Sequence, residues 1–147
     1  MIVENVFEKI IYPQLKEYVE KKSIYHPQIT KRFPQESKIF PIVPIKLLPV
    51  KNKYNNLSYN EETYSFGISI EIYTIDLNVE GKKVSKRTIC NEISNTIIEY
   101  FKNNFHVTIN HQLDVPNIDS NVQRNIVTIE GILDTKFGQD KLVIYPK

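Results

Sequence analysis

The sequence predicts an α+β domain: one mostly antiparallel β-sheet of about four strands packed against two main helices, in the order α-β-β-α-β-β. Three observations predict it. Residues 64–76 alternate, with Tyr64, Phe66, Ile68, Ile70 and Ile72 on one face and Ser65, Gly67, Ser69 and Glu71 on the other. Strand side chains alternate sides, so this is a long half-buried strand with one apolar face. Two segments, residues 2–22 and 85–103, repeat apolar side chains every three or four positions, the period of an amphipathic helix. Two further alternating stretches follow the second helix. A sheet with an apolar face and helices with an apolar stripe bury them against each other.

In the first helix the stripe is Ile2, Val3, Val6, Phe7, Ile10, Ile11, Leu15, Tyr18 and Val19. Pro13 lies inside it. Proline lacks an N–H and its ring clashes with the preceding turn, so a kink or division is expected near Ile11 and Tyr12. Glu17, Glu20, Lys21 and Lys22 form a solvated helix end. Residues 23–38 hold Pro27, Pro34, Lys31 and Arg32 with little period and read as a connecting loop, with His26 as an exposed loop residue. Residues 39–50 are apolar and extended. Pro41, Pro44 and Pro49 forbid a helix and interrupt a ladder, which gives an irregular strand with broken pairing. Residues 51–63 are polar and turn-rich and read as a long hairpin loop.

After the central strand, whose far end turns apolar on both faces through Tyr73, Ile75 and Leu77, a turn is centred on Gly81. In the second helix Ile89, Ile93, Ile97, Phe101 and Phe105 step by four, with Cys90 and Ile98 beside them, and Ser85 is the expected N-cap. Phe105, Val107, Ile109, His111, Leu113 and Val115 then alternate with polar residues as a strand. Residues 116–120 turn, and residues 122–133 form a further strand with Val127, Ile129 and Leu133 on one face. Leu142, Val143, Ile144 and Tyr145 make a short apolar tail. The whole chain, residues 1–147, is read as one domain, long enough to bury a core without staples.

Composition bounds the function. The net charge of +2 gives no strong field for nucleic acid or anionic membrane, and no sequence-specific nucleic-acid binding is expected. No apolar run reaches the ~20 residues of a membrane-spanning helix, and the start of the chain has no basic region followed by an apolar one. A reducing cytoplasm is the expected place of synthesis. The single cysteine, Cys90, reads as a small buried apolar residue. His106 and His111 are five apart on one strand and so fall on opposite faces, which prevents them from sharing an ion. No phosphate-cradling glycine loop or nucleophile with an adjacent base is legible. No catalytic residue, metal or cofactor is expected, and the protein is not expected to be an enzyme.

Signals for protein partners are better. Lys51, Lys53, Tyr54, Leu57 and Tyr59 lie in the polar segment before the central strand, and tyrosine is a favoured interface residue. Lys82, Lys83, Lys86 and Arg87 crowd the N-terminus of the second helix, the wrong end of the dipole for cations, which suggests an acidic partner surface. The proline-interrupted strand and the apolar tail are pieces of edge that either lie covered or pair with another chain.

Four features carry a resemblance that covers nearly the whole chain. The first helix holds Ile11-Tyr12-Pro13-Gln14-Leu15-Lys16, and an extended Phe40-Pro41-Ile42-Val43 follows. The strand Phe66-Gly67-Ile68-Ser69-Ile70-Glu71-Ile72-Tyr73 leads into a helix with an isoleucine stripe. Last come Val122-Gln123-Arg124-Asn125 and a terminal Ile144-Tyr145. In these the chain resembles the tail terminator and tail-completion proteins of tailed bacteriophages and phage-tail-like particles. The resemblance implies a sheet packed on helices and a homo-oligomeric ring, expected to be a hexamer, that caps the head-proximal end of the tail tube and stops its polymerisation. It implies contacts with the tube protein and with sheath and neck or collar proteins, in a virion tail or tail-like particle assembled in a bacterial cytoplasm. Arg124 joins the expected interface residues through its place in the last motif. A head–tail neck adaptor and, outside phages, an immunity- or antitoxin-type interaction protein are the alternatives.

Overall fold

The structure is a computed structural model that describes residues 2–34, 39–49, 51–56, 61–135 and 142–144. The N-terminal helix runs as α1 (Ile2–Val6), a wide π turn (Phe7–Ile11) and α2 (Tyr12–Lys22). The wide turn sits directly before Pro13, and Tyr12 N–H donates to the carbonyl of Phe7, five residues back. The extra residue in the turn makes room for the proline ring without breaking the rod. Phe7, Ile11, Leu15 and Val19 are buried, whereas Ile10, which the spacing counts with the stripe, is exposed.

The strands are β1 (Gln28–Thr30), β2 (Ile42–Leu47), β3 (Lys51–Asn56), β4 (Glu61–Thr74), β5 (Leu77–Val79), β6 (Lys82–Val84), β7 (Thr108–Gln112), β8 (Gln123–Thr135) and β9 (Leu142–Ile144), with α3 (Lys86–Asn104) between β6 and β7. Seven of them form one sheet in the order β1-β2-β4-β8-β7, with β3 beside β4 and β9 beside β8. Among the described residues only the β1–β2 pairing is parallel. β5 and β6 form a separate hairpin. Its turn residues Glu80 and Gly81 have φ of 52° and 80°. Positive φ at both central positions is the two-residue turn that matches strand twist, and glycine takes it without strain.

The α+β class is as expected; the strand count and order differ. Residues 23–38 are not only loop, because β1 lies in them and pairs with β2. β1 is three residues long with one buried side chain, Ile29, too short to show a period. The polar segment 51–63 is not a loop throughout: its first six residues are β3, which takes its pairing from β4 with a bulge between Asn52 and Tyr54. The central strand therefore begins at Glu61, and it ends at Thr74. The proline-bearing segment lies inside the sheet: Pro44 is opposite Thr30 of β1, while pairing to β4 is recorded at Ile42 and again from Ile45 to Leu47. The apolar tail finds its edge within the chain, as β9 against the end of β8.

One face of the sheet is covered. Phe66, Ile68, Ile70 and Ile72 of β4, Val127 and Ile129 of β8, and Val43 and Ile45 of β2 join Phe7, Ile11, Leu15, Val19, Ile89, Cys90, Ile93, Ile97 and Phe101 in a single core. Both helices share this core, so they lie on one side and the other side of β4, with Ser65, Ser69 and Glu71, is half-exposed. Antiparallel sheets tolerate one wet face. Tyr73 and Gly67 are covered on that side, Tyr73 stacked edge-on against Phe33 at 4.8 Å and Gly67 under Leu48.

Phe66 and Gly131 face each other across β4 and β8. A Cβ at Gly131 would come within 2.8 Å of the Phe66 ring and 3.2 Å of Val107 Cγ1. We expect Gly131→Ala to destabilise the fold by about 1–3 kcal/mol through overpacking. In a Phe66→Leu background the same change should cost less, and urea denaturation of the double-mutant cycle measures the coupling.

Candidate functional site

The expected interface residues separate to opposite ends of β4. Lys51, Lys53 and Tyr54 lie on β3, which pairs with the Glu61 end of β4. Their side chains, and Leu57 and Tyr59 altogether, lie outside the described residues. Lys82 and Lys83 on β6, Lys86 and Arg87 in the first turn of α3, and Arg124 at the start of β8 gather at the Thr74 end.

At that second end Lys83, Lys86, Arg87 and Arg124 find partners inside the chain. Ser85 caps α3 by accepting from Thr88 N at 3.3 Å. Asp76 accepts from Lys86 N at 2.8 Å and lies 3.8 Å from Lys83 Nζ. Arg87 pairs with Asp114 at 3.1 Å. The acidic groups that a helix N-terminus favours thus come from Asp76 and Asp114, outside the helix. Thr74, fully buried, donates its hydroxyl to Lys86 O at 2.6 Å and ties the start of α3 to the end of β4.

These contacts also hold the segment between β7 and β8, residues 113–122. Lys86 Nζ donates to Ser120 O at 3.0 Å, Val115 N to Arg124 O at 2.8 Å, and Arg124 Nη1 to Pro116 O at 3.2 Å. Gln123 donates to the Asp114 carboxylate. Asp114 itself has φ of 53°, a left-handed conformation that aspartate tolerates better than most residues. Its N–H donates to Asn125 Oδ1 at 3.1 Å. Asn125 is fully buried and donates to Asn91 Oδ1 at 3.0 Å and Ser94 Oγ at 3.1 Å on α3. One buried amide therefore links α3, β8 and the base of the segment.

On the open face Arg124 bonds Glu71 and lies 5.6 Å over the Tyr73 ring. The bond to Glu71 raises the already high pKa of the guanidinium, and burial raises that of the Tyr73 phenol. Beside them Phe33, Phe40, Tyr73, Ile118 and Val122, with Asn117 and Asp119, line a cleft of about 390 Å³. Phe33 also borders a second cleft, lined by Lys31, Arg32, Pro44, Lys46, Ser69 and Glu71. Ile118 is fully exposed, at 106% of its reference area. Sequence patterning misses this trough because its residues come from four separate segments. The one local signal is Ile118, an isolated apolar residue in the polar turn 116–120.

Cys90 is buried, and burial pushes its thiol up to about 12, far from the range of a thiolate nucleophile. Sγ donates to Ile72 O at 3.4 Å, so the residue serves packing. Among the described residues no three His, Cys, Asp or Glu side chains gather in a way that would hold a metal, and no helix is long and apolar enough to cross a membrane. His106 is exposed and His111 is half-buried. Compared with protein-family models and with curated proteins, the chain matches none.

Two predictions follow from this geometry. Asn125→Ala leaves the Asp114 N–H without its acceptor and removes the bonds that Asn91 and Ser94 accept, and should destabilise the fold by roughly 1–3 kcal/mol. Faster amide exchange confined first to residues 113–122 is the expected signature. Burial holds the His111 pKa below its usual value, and Nε2 has no partner among the described residues. As pH falls through about 6.5 the unfolded chain takes up a proton that the folded chain refuses, so stability declines there and the decline ends once the folded-state pKa is passed. His111→Gln should flatten the stability profile between pH 7 and 5 in urea titrations.

Proposed function

We propose that the protein is a structural component of a phage tail or phage-tail-like particle, a ring-forming tail terminator at the head-proximal end of the tail tube. The observation that carries this reading is the asymmetry of the domain. One sheet face is sealed by the helices, the other is half-exposed among the described residues, and the two ends of β4 carry different chemistry. A ring of identical copies needs such dissimilar surfaces, because each contact joins one patch to a different one.

The motifs of the resemblance also fall on structurally defined positions. Ile11 to Lys16 spans the wide turn and Pro13. Phe40-Pro41 leads into β2, with a cis peptide bond between the two. Phe66 to Tyr73 is the central strand, and Arg124 at the start of β8 bonds Glu71 of that strand. Ile144 lies on β9, and Tyr145 lies outside the described residues. These support a common architecture; the tube, sheath and collar as partners, the hexamer and the place in a tail belong to the proposal.

The test is the solution mass of the purified chain, alone and with tube protein, with micrographs of the same samples. A ring in either setting, and arrest of tube growth when the chain is added to polymerising tube protein, is the expected outcome. A strictly monomeric chain in both settings, with tube growth unaffected, overturns the reading.

A further inference from the structure

β7 is one terminal strand of the sheet path and β1 is the other. The backbone groups that β7 turns away from β8 follow from the ladder. Val115, just beyond β7, donates its N–H to Arg124 O at 2.8 Å, so the Arg124 carbonyl points to the β7 side of β8. Strand carbonyls alternate sides, and β8 keeps an unbroken register with β4. Ile126, Thr128 and Glu130 therefore bond toward β7, and Gln112, Asn110 and Thr108 bond back. The far edge of β4 agrees. Gly67 O accepts from Leu48 N on the β2 side, which leaves Ile68 and Ile70 to bond β8 through Ile129 and Val127. The N–H and C=O groups of Ile109 and His111 thus point outward, and among the described residues no hydrogen bond reaches them.

Folded chains blunt a terminal strand with charge, proline or short length. β1 has these devices. It is three residues long, Pro27 precedes it, Lys31 follows it, and the Tyr12 hydroxyl reaches the Ile29 carbonyl at 3.5 Å. β7, Thr-Ile-Asn-His-Gln, has no proline, lysine, arginine or carboxylate and no bulge in its register. The segment after it folds over the open face, where Asn117, Ile118 and Asp119 line a cleft with Phe33 and Tyr73, and does not cover this edge.

We infer that β7 pairs antiparallel with β7 of a second copy of this chain, about a two-fold axis through Asn110. Ile109 and His111 then exchange four backbone hydrogen bonds across the axis. On the covered face Ile109 lies opposite His111 of the second copy, and Val107 lies opposite Leu113, which is 50% exposed in the single chain. On the open face Thr108 lies opposite Gln112, Asn110 opposite its own copy, and His106 opposite Asp114; all six are exposed in the single chain. A shift of two residues either way, the smallest that keeps the covered faces on one side, would part His106 from Asp114. Asp114 keeps Arg87 and Gln123 of its own chain, and His106 shares a cleft with Glu130 of its own chain. Each His106 is therefore flanked by carboxylates from both copies. Glu130 stands two strand spacings, roughly 10 Å, from the second β7 and faces Gln112 there. A two-fold contact closes on itself and does not propagate. It is distinct from the head-to-tail contact of the proposed ring and is tested separately.

The wild type should populate a dimer in analytical sedimentation. Asn110→Lys and Asn110→Asp each place like charges directly opposite and should weaken that dimer roughly fivefold, with thermal melts checking the fold. Mixed in equal amounts, the two variants should associate at least as strongly as the wild type. Under mild oxidation Asn110→Cys should give a disulfide dimer, because facing residues of a pair that is not hydrogen-bonded bring their Cα atoms to about 4.5 Å. Gln112→Cys, which faces Thr108, should cross-link far less. The buried Cys90 stays out of the exchange. A monomeric wild type, an Asn110→Lys chain that associates like the wild type, or equal cross-linking at 110 and 112 overturns the contact. Weakening that the mixture does not reverse also overturns it and assigns the edge to an unlike strand. If the Asn110→Cys dimer forms while tube growth is unaffected and no ring appears, the ring reading fails and the two-fold contact stands.

Discussion

The structure depends on the pairing of β4 with β8. The two strands are in unbroken register from Glu62 opposite Thr135 to Thr74 opposite Gln123. Because the side-chain period of a strand is two, a one-residue slip of β4 would turn Ile68, Ile70 and Ile72 to solvent together, and a slip of β8 would do the same to Val127 and Ile129. All five are fully buried. At about 25 cal/mol per Å² of apolar surface, each such side chain contributes on the order of 2 kcal/mol of burial, so the correct register is separated from its neighbours by a wide gap. The tight fit of the Phe66 ring over Gly131 fixes the same register sterically.

The polar contacts at the Thr74 end extend that order to elements that lack their own hydrophobic reason to be there. Residues 113–122 contribute few buried side chains. The segment is held instead by Asn125, Arg124, Gln123, Lys86 and Arg87. Most of these bonds are exposed and individually weak. Asn125 differs, because its amide is fully buried and anchored to Asn91 and Ser94 on the packed helix α3 while it accepts from Asp114 N of the segment. The loss of a buried partner costs more than the loss of an exposed ion pair, so the amide sets the position of the segment and the surface pairs trim it.

Much of this fold was legible in the sequence wherever burial imposes a period. The α3 stripe of Ile89, Ile93, Ile97 and Phe101, the Ser85 cap and the β4 alternation are local patterns with local causes. The disturbance before Pro13 was legible for the same reason, though its form as a wide turn was not. β1 was hidden by its length. β3 was hidden because Lys-Asn-Lys-Tyr-Asn-Asn has no alternation and borrows its geometry from β4. The cations of residues 82–87 looked misplaced at a helix N-terminus because Asp114 lies far along the chain and Asp76 is separated from the helix by a hairpin. The trough was illegible for a stronger reason: Phe33, Phe40, Tyr73, Ile118 and Val122 meet only after the sheet has formed.

A long, doubly paired central strand has a mechanical consequence for any assembly the chain enters. β4 is held by β8 along its length, by β2 on one stretch and by β3 on another. Bending it would break ladder bonds on both sides and shear the isoleucine face against α3. Surfaces at its two ends are therefore set at a fixed distance and a fixed twist, and the twist of the sheet carries over to the angle between them. When copies join end to unlike end, that angle repeats at every contact. In the ring proposed above, closure rather than growth into a filament would depend on this angle. Ile70 and Val127, both fully buried, hold that distance and twist from inside the core.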